Sequence, residues 1–237
     1  MSKLIINKLS LTHKNKTLVD LIQKDNQPII ITDSLALVGQ SGSGKSLTLK
    51  TILQLTPKEL TSRFDYECDF SLDYNNIAFI PQNPFTSLSP MTKIKKQFFC
   101  EEKKINELLT LVDLDLNILN SFPSELSGGQ LQRIVIAIAL SKNPKLLLLD
   151  EPTTALDIKS KKSILEILQQ LKDKLGFIII FVSHDIDSIK NLCKKIIILQ
   201  NGVICESGDT VDVLKNPKNR YTQELISSNF KNRDFRS

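Results

Sequence analysis

Length and composition favour a single globular domain: 237 residues can bury one substantial core, and 41% hydrophobic with 24% charged residues is ordinary for a folded protein. The net charge of +5 suits an anionic ligand, nucleic acid or a membrane surface, although the mixed lysines and glutamates of residues 95–104 favour a solvated helix face over a nucleic-acid-binding stripe. Four cysteines without a CxxC pair disfavour structural zinc and disulfides, which fits the reducing cytoplasm. No apolar run approaches the ~18 residues that span a bilayer. We therefore expect a cytoplasmic protein.

Short strands dominate the predicted structure of the first 40 residues. KLIINKLSL and PIIIT predict two strands, and SLALVG predicts a buried strand that ends in a glycine-rich turn. GKSLTLKTILQL then predicts a helix that stops at Thr56-Pro57, and residues 57–76 are polar and predicted to be irregular. NNIAFIPQ predicts another buried strand, and helical character follows from about Asn83 to Phe122.

The second half of the chain alternates helices and apolar strands. SELSGGQLQRIVIAIALSKNP predicts a helix that opens after Ser127 and closes at Asn143-Pro144. KLLLLD and GFIIIFVSH are typical of parallel strands covered on both faces, with a crossover helix between them. KKIIILQNGVICESG predicts a hairpin around Asn201-Gly202, and a final helix follows. This alternation predicts an α/β fold with a parallel sheet.

A glycine-rich segment between a predicted strand and a predicted helix fits the pattern G-x-x-x-x-G-K-[ST]. Its glycines leave room for phosphate oxygens against backbone N–H groups, and the helix N-terminus adds a positive dipole end. We expect Lys45 to contact the β- and γ-phosphates and the Ser46 hydroxyl to bind Mg²⁺. A flexible Gly/Ser loop is disfavoured because the lysine, the serine and the flanking elements are all present. The predicted nucleotide-binding residues are Gly39, Gln40, Ser41, Gly42, Ser43, Gly44, Lys45, Ser46 and Leu47.

An acidic pair directly follows the apolar run of residues 146–149. Asp150 is placed to support Mg²⁺, and Glu151 is placed to polarise a water as a general base for hydrolysis. The alternative, an acidic pair that only caps a helix, becomes negligible beside a phosphate-binding loop. The pair therefore predicts hydrolysis of a nucleoside triphosphate rather than binding alone.

The pentapeptide LSGGQ, residues 126–130, directly precedes a predicted helix. Ser127 can cap that helix while Gly128 and Gly129 expose N–H groups, which makes a second anion site. One chain with two phosphate-binding helix ends but one phosphate-binding loop suggests two chains that face each other. Each chain would then offer its second site to the nucleotide of the other.

Taken together with Gln82, LLLLDEPTTALD and His184 in FVSHD, these motifs resemble the ATP-binding subunit of an ABC transporter. Their order and separations agree over nearly the whole chain. The resemblance implies an α/β P-loop NTPase fold with a mostly parallel sheet, N-terminal antiparallel strands and an inserted helical subdomain. It places the core at about residues 1–82 and 143–215, the helical subdomain at about 83–142 and a C-terminal helix at about 216–237.

The resemblance also implies roles for individual residues, with ATP and Mg²⁺ as ligands. Gln82 would contact Mg²⁺ and sense a transmembrane partner, and Asp157 would lie at the subunit boundary. His184, which by itself suggests a core histidine, would contact the γ-phosphate and hold Glu151 and the attacking water. The residues that act in trans on the ATP of the opposite subunit would be Ser127, Gly128, Gly129 and Gln130.

Two further segments, PQNPFTSLSP at residues 81–90 and NPKNRYTQELISS at 216–228, are similar to the ATPases of the peptide/nickel importer group. Ser89 stands where that group usually has asparagine. The family usually stacks an aromatic ring on adenine, and here the nearest candidate is His13, which stacks more weakly than tyrosine. A chain that stops soon after the second segment fits the nickel or metal-chelate members somewhat better than the peptide importers.

The resemblance implies an ATPase that powers import of nickel, a metal chelate or small peptides through ATP-driven dimerisation at the cytoplasmic face of the membrane. The implied partners are transmembrane permease subunits, an extracytoplasmic binding protein and a second ATP-binding subunit. That second subunit is expected to be a different, related chain, with a second copy of this chain as the alternative. Nucleic acid is not among the implied partners. A soluble ABC-type ATPase acting on nucleic acid or the ribosome is disfavoured because the chain has one cassette and neither heptads nor cysteine pairs. A non-enzymatic adaptor is disfavoured because Lys45, Glu151 and His184 are all present.

Overall fold

The computed structural model describes residues 2–14, 16–23 and 25–231, which form two compact units. The first unit is built from the described residues up to Leu72 and from Ile178 onward, and the second runs from Asp73 to Phe177. Residues 232–237, the end of the predicted C-terminal helix, lie outside the described residues. The boundaries expected from the family resemblance, near residues 82 and 142, stay a prediction.

The N-terminal part of the first unit is mainly antiparallel. Its elements are β1 (Leu4–His13), β2 (Lys16–Asp20), β3 (Ile29–Ile31), β4 (Ser34–Val38), α1 (Lys45–Ile52) and β5 (Thr61–Cys68). Strand β1 pairs antiparallel with β2, β3 and β5. Alternate side chains of β1 are buried, first Leu4 and Ile6 and then Leu9 and Leu11. The alternation shifts by one residue at a bulge between Ile6 and Lys8. The predicted N-terminal antiparallel strands are therefore confirmed.

Strand β5 shows that the prediction of irregular structure for residues 57–76 is wrong at residues 61–68. It pairs along β1 from Leu4 opposite Cys68 to Thr12 opposite Thr61. Polar residues occupy its exposed face, while the half-buried rings of Phe64 and Tyr66 stack with centroids 4.6 Å apart. This alternation is the period-two signal of a strand, and the prediction missed it because the segment has no continuous apolar run.

The second unit contains β6 (Ile77–Ile80), α2 (Glu102–Leu111), α3 (Gly128–Leu140), β7 (Leu146–Asp150) and α4 (Ile158–Leu175). Strands β6 and β7 are parallel, with Ile80 opposite Leu149. Helix α3 opens directly after Ser127, as predicted. Between residues 83 and 122, however, only α2 is an α-helix, and the rest contains short 3₁₀ turns at Pro84–Ser87, Ile94–Gln97 and Leu116–Asn120. Prolines in this segment lack the N–H donor that a continuing α-helix needs.

The C-terminal part of the first unit completes a parallel sheet around β4. Its elements are β8 (Ile178–Ser183), α5 (Ile186–Lys190), β9 (Lys195–Gln200), β10 (Val203–Asp209), α6 (Thr210–Lys215) and α7 (Arg220–Lys231). Strand β4 lies between β8 and β9 and is parallel to both. All five residues of β4 and all six of β8 are buried, as expected for strands covered on both faces.

Strands β9 and β10 form the predicted hairpin, which reverses at Asn201-Gly202. Both turn residues have positive φ, 51° and 84°, the conformation of a type I′ turn. Within the part of the chain that the structure describes, none of the helices combines the length and the hydropathy needed to cross a lipid bilayer.

The hairpin turn generates a prediction about stability. A Cβ at Gly202 would collide with the backbone of Leu18, whereas a Cβ at Gly176, which also has positive φ (70°), would meet open space. We expect Gly176→Ala to lower the free energy of unfolding by about 1–2 kcal/mol through φ alone. Gly202→Ala should lower it by a further ~1–3 kcal/mol because of overpacking. Urea unfolding followed by circular dichroism measures both, and equal losses would contradict the predicted contact.

Candidate nucleotide-binding and hydrolysis site

The glycine-rich loop joins the carboxyl end of β4 to the N-terminus of α1, where the sequence places it. A Cβ on Gly39 would collide with the carbonyl oxygen of Leu199 in β9, so the loop starts directly against the neighbouring strand. Gly44 has φ 96° and lies against Val19 of β2. These two positions need glycine because the backbone of the loop is packed onto the sheet.

The Lys45 side chain is held inside this loop. It is 5% exposed, and its ammonium donates hydrogen bonds to the carbonyl oxygens of Gly39 at 2.8 Å and Gln40 at 2.9 Å. An ammonium removed from water needs such acceptors to offset its desolvation. The loop therefore fixes a positive charge among its own backbone groups, at the segment predicted to bind phosphate.

The loop also has the donors that phosphate oxygens require. Ser43 is 4% exposed, and its hydroxyl has no hydrogen-bond partner among the described residues. Leaving a buried hydroxyl unsatisfied costs about 1–3 kcal/mol, which a bound phosphate oxygen would remove. Helix α1 has no side-chain cap and no acidic residue in its first turn, where the exposed Ser46 lies. Its positive end is thus available to an anion, and these residues fit the phosphates of a nucleotide.

His184 emerges beside the loop within the first unit. Strands β4 and β8 are parallel, with Val38 opposite Ser183, so the loop and His184 leave the sheet at the same edge. The Ser183 hydroxyl accepts from the Asp185 N–H at 2.9 Å, and the Asp185 carboxylate caps α5. This turn leaves His184 exposed. The structure thus brings His184 and the loop to one edge, while its predicted contact with a γ-phosphate stays a prediction.

In the second unit, the parallel pairing of β6 and β7 brings Gln82 and the acidic pair together. Asp150 ends β7, and Gln82 follows two residues after β6. The Gln82 Nε2 donates to Glu151 Oε2 at 3.4 Å, and the Thr154 hydroxyl donates to the same oxygen at 3.1 Å. Two donors on one oxygen fix the orientation of the Glu151 carboxylate, and neither contact was predicted from the sequence.

The backbone of Glu151 is also unusual. Its φ is 49°, in the left-handed region, although it is not glycine and precedes Pro152. Such conformations cost roughly 1–3 kcal/mol and concentrate at functional sites. The Thr154 N–H donates to the Glu151 carbonyl at 3.2 Å and closes the turn. This strained turn supports a functional role for Glu151.

The LSGGQ segment starts α3 with the predicted cap. The Ser127 hydroxyl accepts from the Gln130 N–H at 3.3 Å, and the Gln130 side chain accepts from the Ser127 N–H at 2.9 Å. Gly129 approaches Ser160 of α4, which leaves no space for a larger residue without a shift. Gly128 begins the helix. The predicted cap at Ser127 is therefore present, whereas the binding of an anion at the N-terminus of α3 stays a prediction.

A polar cavity of about 550 Å³ adjoins this segment within the second unit. Ser127, Gly129 and Gln130 form part of its wall, and acidic and amide side chains after α2 form another part, with residues Asp113, Asp115 and Asn117. Arg133 of α3 donates to the Asp113 carboxylate at 3.0 Å. The sequence motif alone could not predict this wall because it comes from residues 113–117, a separate segment upstream of LSGGQ.

Two other predicted residues lie at element ends. His13 is the exposed last residue of β1, opposite Lys16 of β2, and its contact with adenine stays a prediction. Asp157 caps α4 by accepting from the N–H groups of Lys159 and Ser160. Hydrogen bonds from the Ser160 hydroxyl, which has the largest effect, and from the Ser160 N–H lower the pKa of the Asp157 carboxyl below its ordinary value.

Comparison with known proteins shows the family. The family model for ABC transporters matches residues 32–154, more than half of the chain. The oligopeptide transport ATP-binding protein OppD of Bacillus subtilis is 36% identical over 225 residues, which cover 83% of this chain and 63% of that protein. The methionine import ATP-binding protein MetN of Streptococcus pyogenes is 33% identical over 239 residues, covering 91% and 67%. The chain thus spans about two thirds of the length of these relatives.

A solved structure shows the same fold. It is cbiO1 from Clostridium perfringens, described as part of the ABC transporter complex cbiONQ, with a TM-score of 0.75 and 22% identity, covering 90% of each chain. The family match and the glycine-rich loop define an ATP-binding ATPase domain of the P-loop class. The chain belongs to the ABC transporter family, as its motifs predicted.

The Lys45 geometry generates a prediction about binding. Lys45→Ala should weaken ATP binding by about 10-fold to 100-fold, because it removes charge-assisted contacts to phosphate. Lys50→Ala is the matched control, since Lys50 is an exposed lysine in the last turn of the same helix. Equilibrium titration with ATP measures both variants. Unchanged affinity in Lys45→Ala would show that ATP binds elsewhere.

Proposed function

We propose that the chain is the ATP-hydrolysing subunit of an ABC importer for small peptides. The observation that carries the proposal is the Glu151 carboxylate, oriented by Gln82 and Thr154 in a strained turn next to Asp150. This arrangement supports hydrolysis rather than nucleotide binding alone. The names of the relatives, an oligopeptide transport protein and a methionine import protein, support import of small cargo. Nickel or a metal chelate stays a prediction of the sequence resemblance.

In the proposed reaction, backbone N–H groups of the loop and the Lys45 ammonium hold the phosphates. The Glu151 carboxylate orients a water and takes its proton as the water oxygen bonds to the γ-phosphorus. The bond from that phosphorus to the β,γ-bridging oxygen breaks, which releases ADP and phosphate. His184 holds the γ-phosphate. When bound, Mg²⁺ neutralises phosphate charge, and the oxygen-bearing side chains proposed to hold it are Ser46, Gln82 and Asp150. These are hard oxygen donors, which suit this ion.

We also propose that hydrolysis requires a second ATP-binding subunit. The N-terminus of α3, which Ser127 caps, is the proposed second anion site in addition to the loop, and it would bind the ATP of a partner. A different but related subunit is the preferred partner, with a second copy as the alternative. The assembly would lie at the cytoplasmic face of the membrane with permease subunits and an extracytoplasmic binding protein.

The segment from Gln82 to Phe99 is the proposed contact with a permease. Phe85, Met91 and Phe99 are 54%, 86% and 86% exposed, and exposed apolar side chains in one segment mark interaction surfaces. The Gln97 amide holds the segment in shape, since it accepts from the Ser89 N–H and donates to the carbonyl oxygens of Ser89 and Thr92. We infer that a cytoplasmic loop of the permease binds here.

The proposed role of Glu151 predicts a separation of binding from turnover. Glu151→Gln should retain ATP affinity but lower the rate of ATP hydrolysis by about 10²–10⁴-fold, because the amide cannot take a proton from water. Glu166→Gln, on the exposed face of α4, is the control and should leave both unchanged. Steady-state hydrolysis with the partner subunits present measures the effect. A near-normal rate in Glu151→Gln would remove Glu151 from this role.

The proposed permease contact is tested by cross-linking in the assembled transporter. Phe85→Cys should cross-link to a cytoplasmic loop of the permease with a yield that depends on nucleotide, whereas Leu175→Cys, 46% exposed at the end of α4, should not. The background lacks the partly exposed native thiols, with Cys68, Cys100 and Cys205 replaced by serine. Free labelling of Phe85→Cys in every nucleotide state would place the interface elsewhere.

A further inference from the structure

The C-terminal helix makes a direct contact with the nucleotide-binding loop. Tyr221, in the first turn of α7, is 8% exposed, and its phenolic oxygen accepts a hydrogen bond from the Gln40 N–H at 3.0 Å. The two residues are 181 positions apart in the sequence. Gln40 is the second residue of the loop, so α7 reaches the loop where it leaves β4.

This contact and the Lys45 contact hold opposite ends of one peptide unit. The Gln40 N–H and the Gly39 carbonyl belong to the same peptide group, which is planar. Tyr221 accepts from its N–H, and Lys45 donates to its carbonyl oxygen at 2.8 Å. Because a planar unit turns as a whole, the Tyr221 hydroxyl helps to set the direction of the carbonyl that holds the Lys45 ammonium.

The start of α7 is itself fixed by β10. The two carboxylate oxygens of Glu206 accept from the N–H groups of Lys218 and Asn219 at 2.9 and 3.0 Å. The Asn219 side chain then accepts from the Tyr221 N–H at 2.9 Å. Burial raises the pKa of Glu206, but hydrogen bonds to the carboxylate, that from the Lys218 N–H above all, together with the Lys218 charge outweigh it and lower the pKa below its ordinary value. The carboxylate form therefore anchors the helix that positions Tyr221.

The loop rests on the same β9–β10 hairpin. Gly39 packs against the Leu199 carbonyl of β9, and Leu199 pairs with Ile204 of β10. Both partners of the Tyr221–Gln40 hydrogen bond are thus anchored on β9 and β10. Their geometry is determined by the fold rather than by a mobile surface contact.

We propose that Tyr221 is a positioning residue for ATP binding, through which helix α7 holds the first peptide of the loop in its phosphate-binding orientation. Removing the hydroxyl leaves the Gln40 N–H without this acceptor and releases the peptide that orients Lys45. The inference rests on the assignment of this loop as the ATP site.

The decisive variant is Tyr221→Phe, which keeps the ring and removes only the hydroxyl. We expect the Kd for ATP and for ADP to rise by about 3-fold to 10-fold, as loss of one hydrogen bond implies. Amide exchange at Gln40 should become faster in the full chain without nucleotide. Tyr74→Phe is the matched control, since Tyr74 is 73% exposed in the second unit, and it should leave Kd unchanged.

A role in stability alone predicts a different pattern, with a lower melting temperature but an unchanged Kd for the folded chain. ATP affinity within twofold of the original in Tyr221→Phe would overturn the proposal. If Tyr221→Phe does not fold, Glu206→Gln is the second variant, because it loosens the start of α7 without altering Tyr221. It should also weaken ATP binding. An unchanged Kd for ATP in Glu206→Gln would overturn the proposal as well. Lys45→Ala tests the assignment of the loop as the ATP site separately from the role of Tyr221. If Lys45→Ala also binds ATP normally, the assignment of the loop fails rather than the role of Tyr221.

Discussion

The buried ammonium of Lys45 is the constraint on which the nucleotide site depends. Moving a charged group out of water costs several kcal/mol unless close acceptors replace the solvent. Here the acceptors are the carbonyl oxygens of Gly39 and Gln40, which belong to the loop itself. The loop can present them only because it packs tightly on β9 and β2, where Gly39 and Gly44 exclude a side chain. Loop conformation, glycine positions and lysine burial therefore form one interdependent arrangement.

The second unit has a comparable arrangement around a negative charge. Glu151 sits in a left-handed turn, and its carboxylate is oriented by Gln82 and Thr154. Parallel pairing of β6 with β7 makes this possible, because it brings Gln82 and Glu151 out at the same edge although they are 69 positions apart. Each unit thus uses the carboxyl ends of parallel strands to present polar groups, which is where open α/β sheets bind ligands.

The sequence was most informative where one local pattern determines both structure and chemistry. The loop, the cap at Ser127 and the hairpin at Asn201-Gly202 were all predicted because each depends on neighbours within a few residues. Strand β5 was missed because its pairing energy comes from β1, and its own residues carry only a weak period-two pattern. The Tyr221–Gln40 contact could not be predicted from the sequence for the same reason, because no local pattern encodes a partner 181 positions away. The positive φ of Glu151 was hidden because local propensity disfavours it, and only the surrounding fold maintains it.

The most direct test of this account is a crystal structure of the Glu151→Gln chain with Mg-ATP. The measured quantity is the position of the Lys45 Nζ relative to the Gly39 and Gln40 carbonyl oxygens, now at 2.8 and 2.9 Å. We expect the β- and γ-phosphates to lie in the loop from Gly39 to Ser46, with the ammonium in contact with their oxygens while the Gly39 carbonyl still holds it. A triphosphate bound elsewhere, or a Lys45 ammonium without any phosphate contact beside bound ATP, would contradict this assignment.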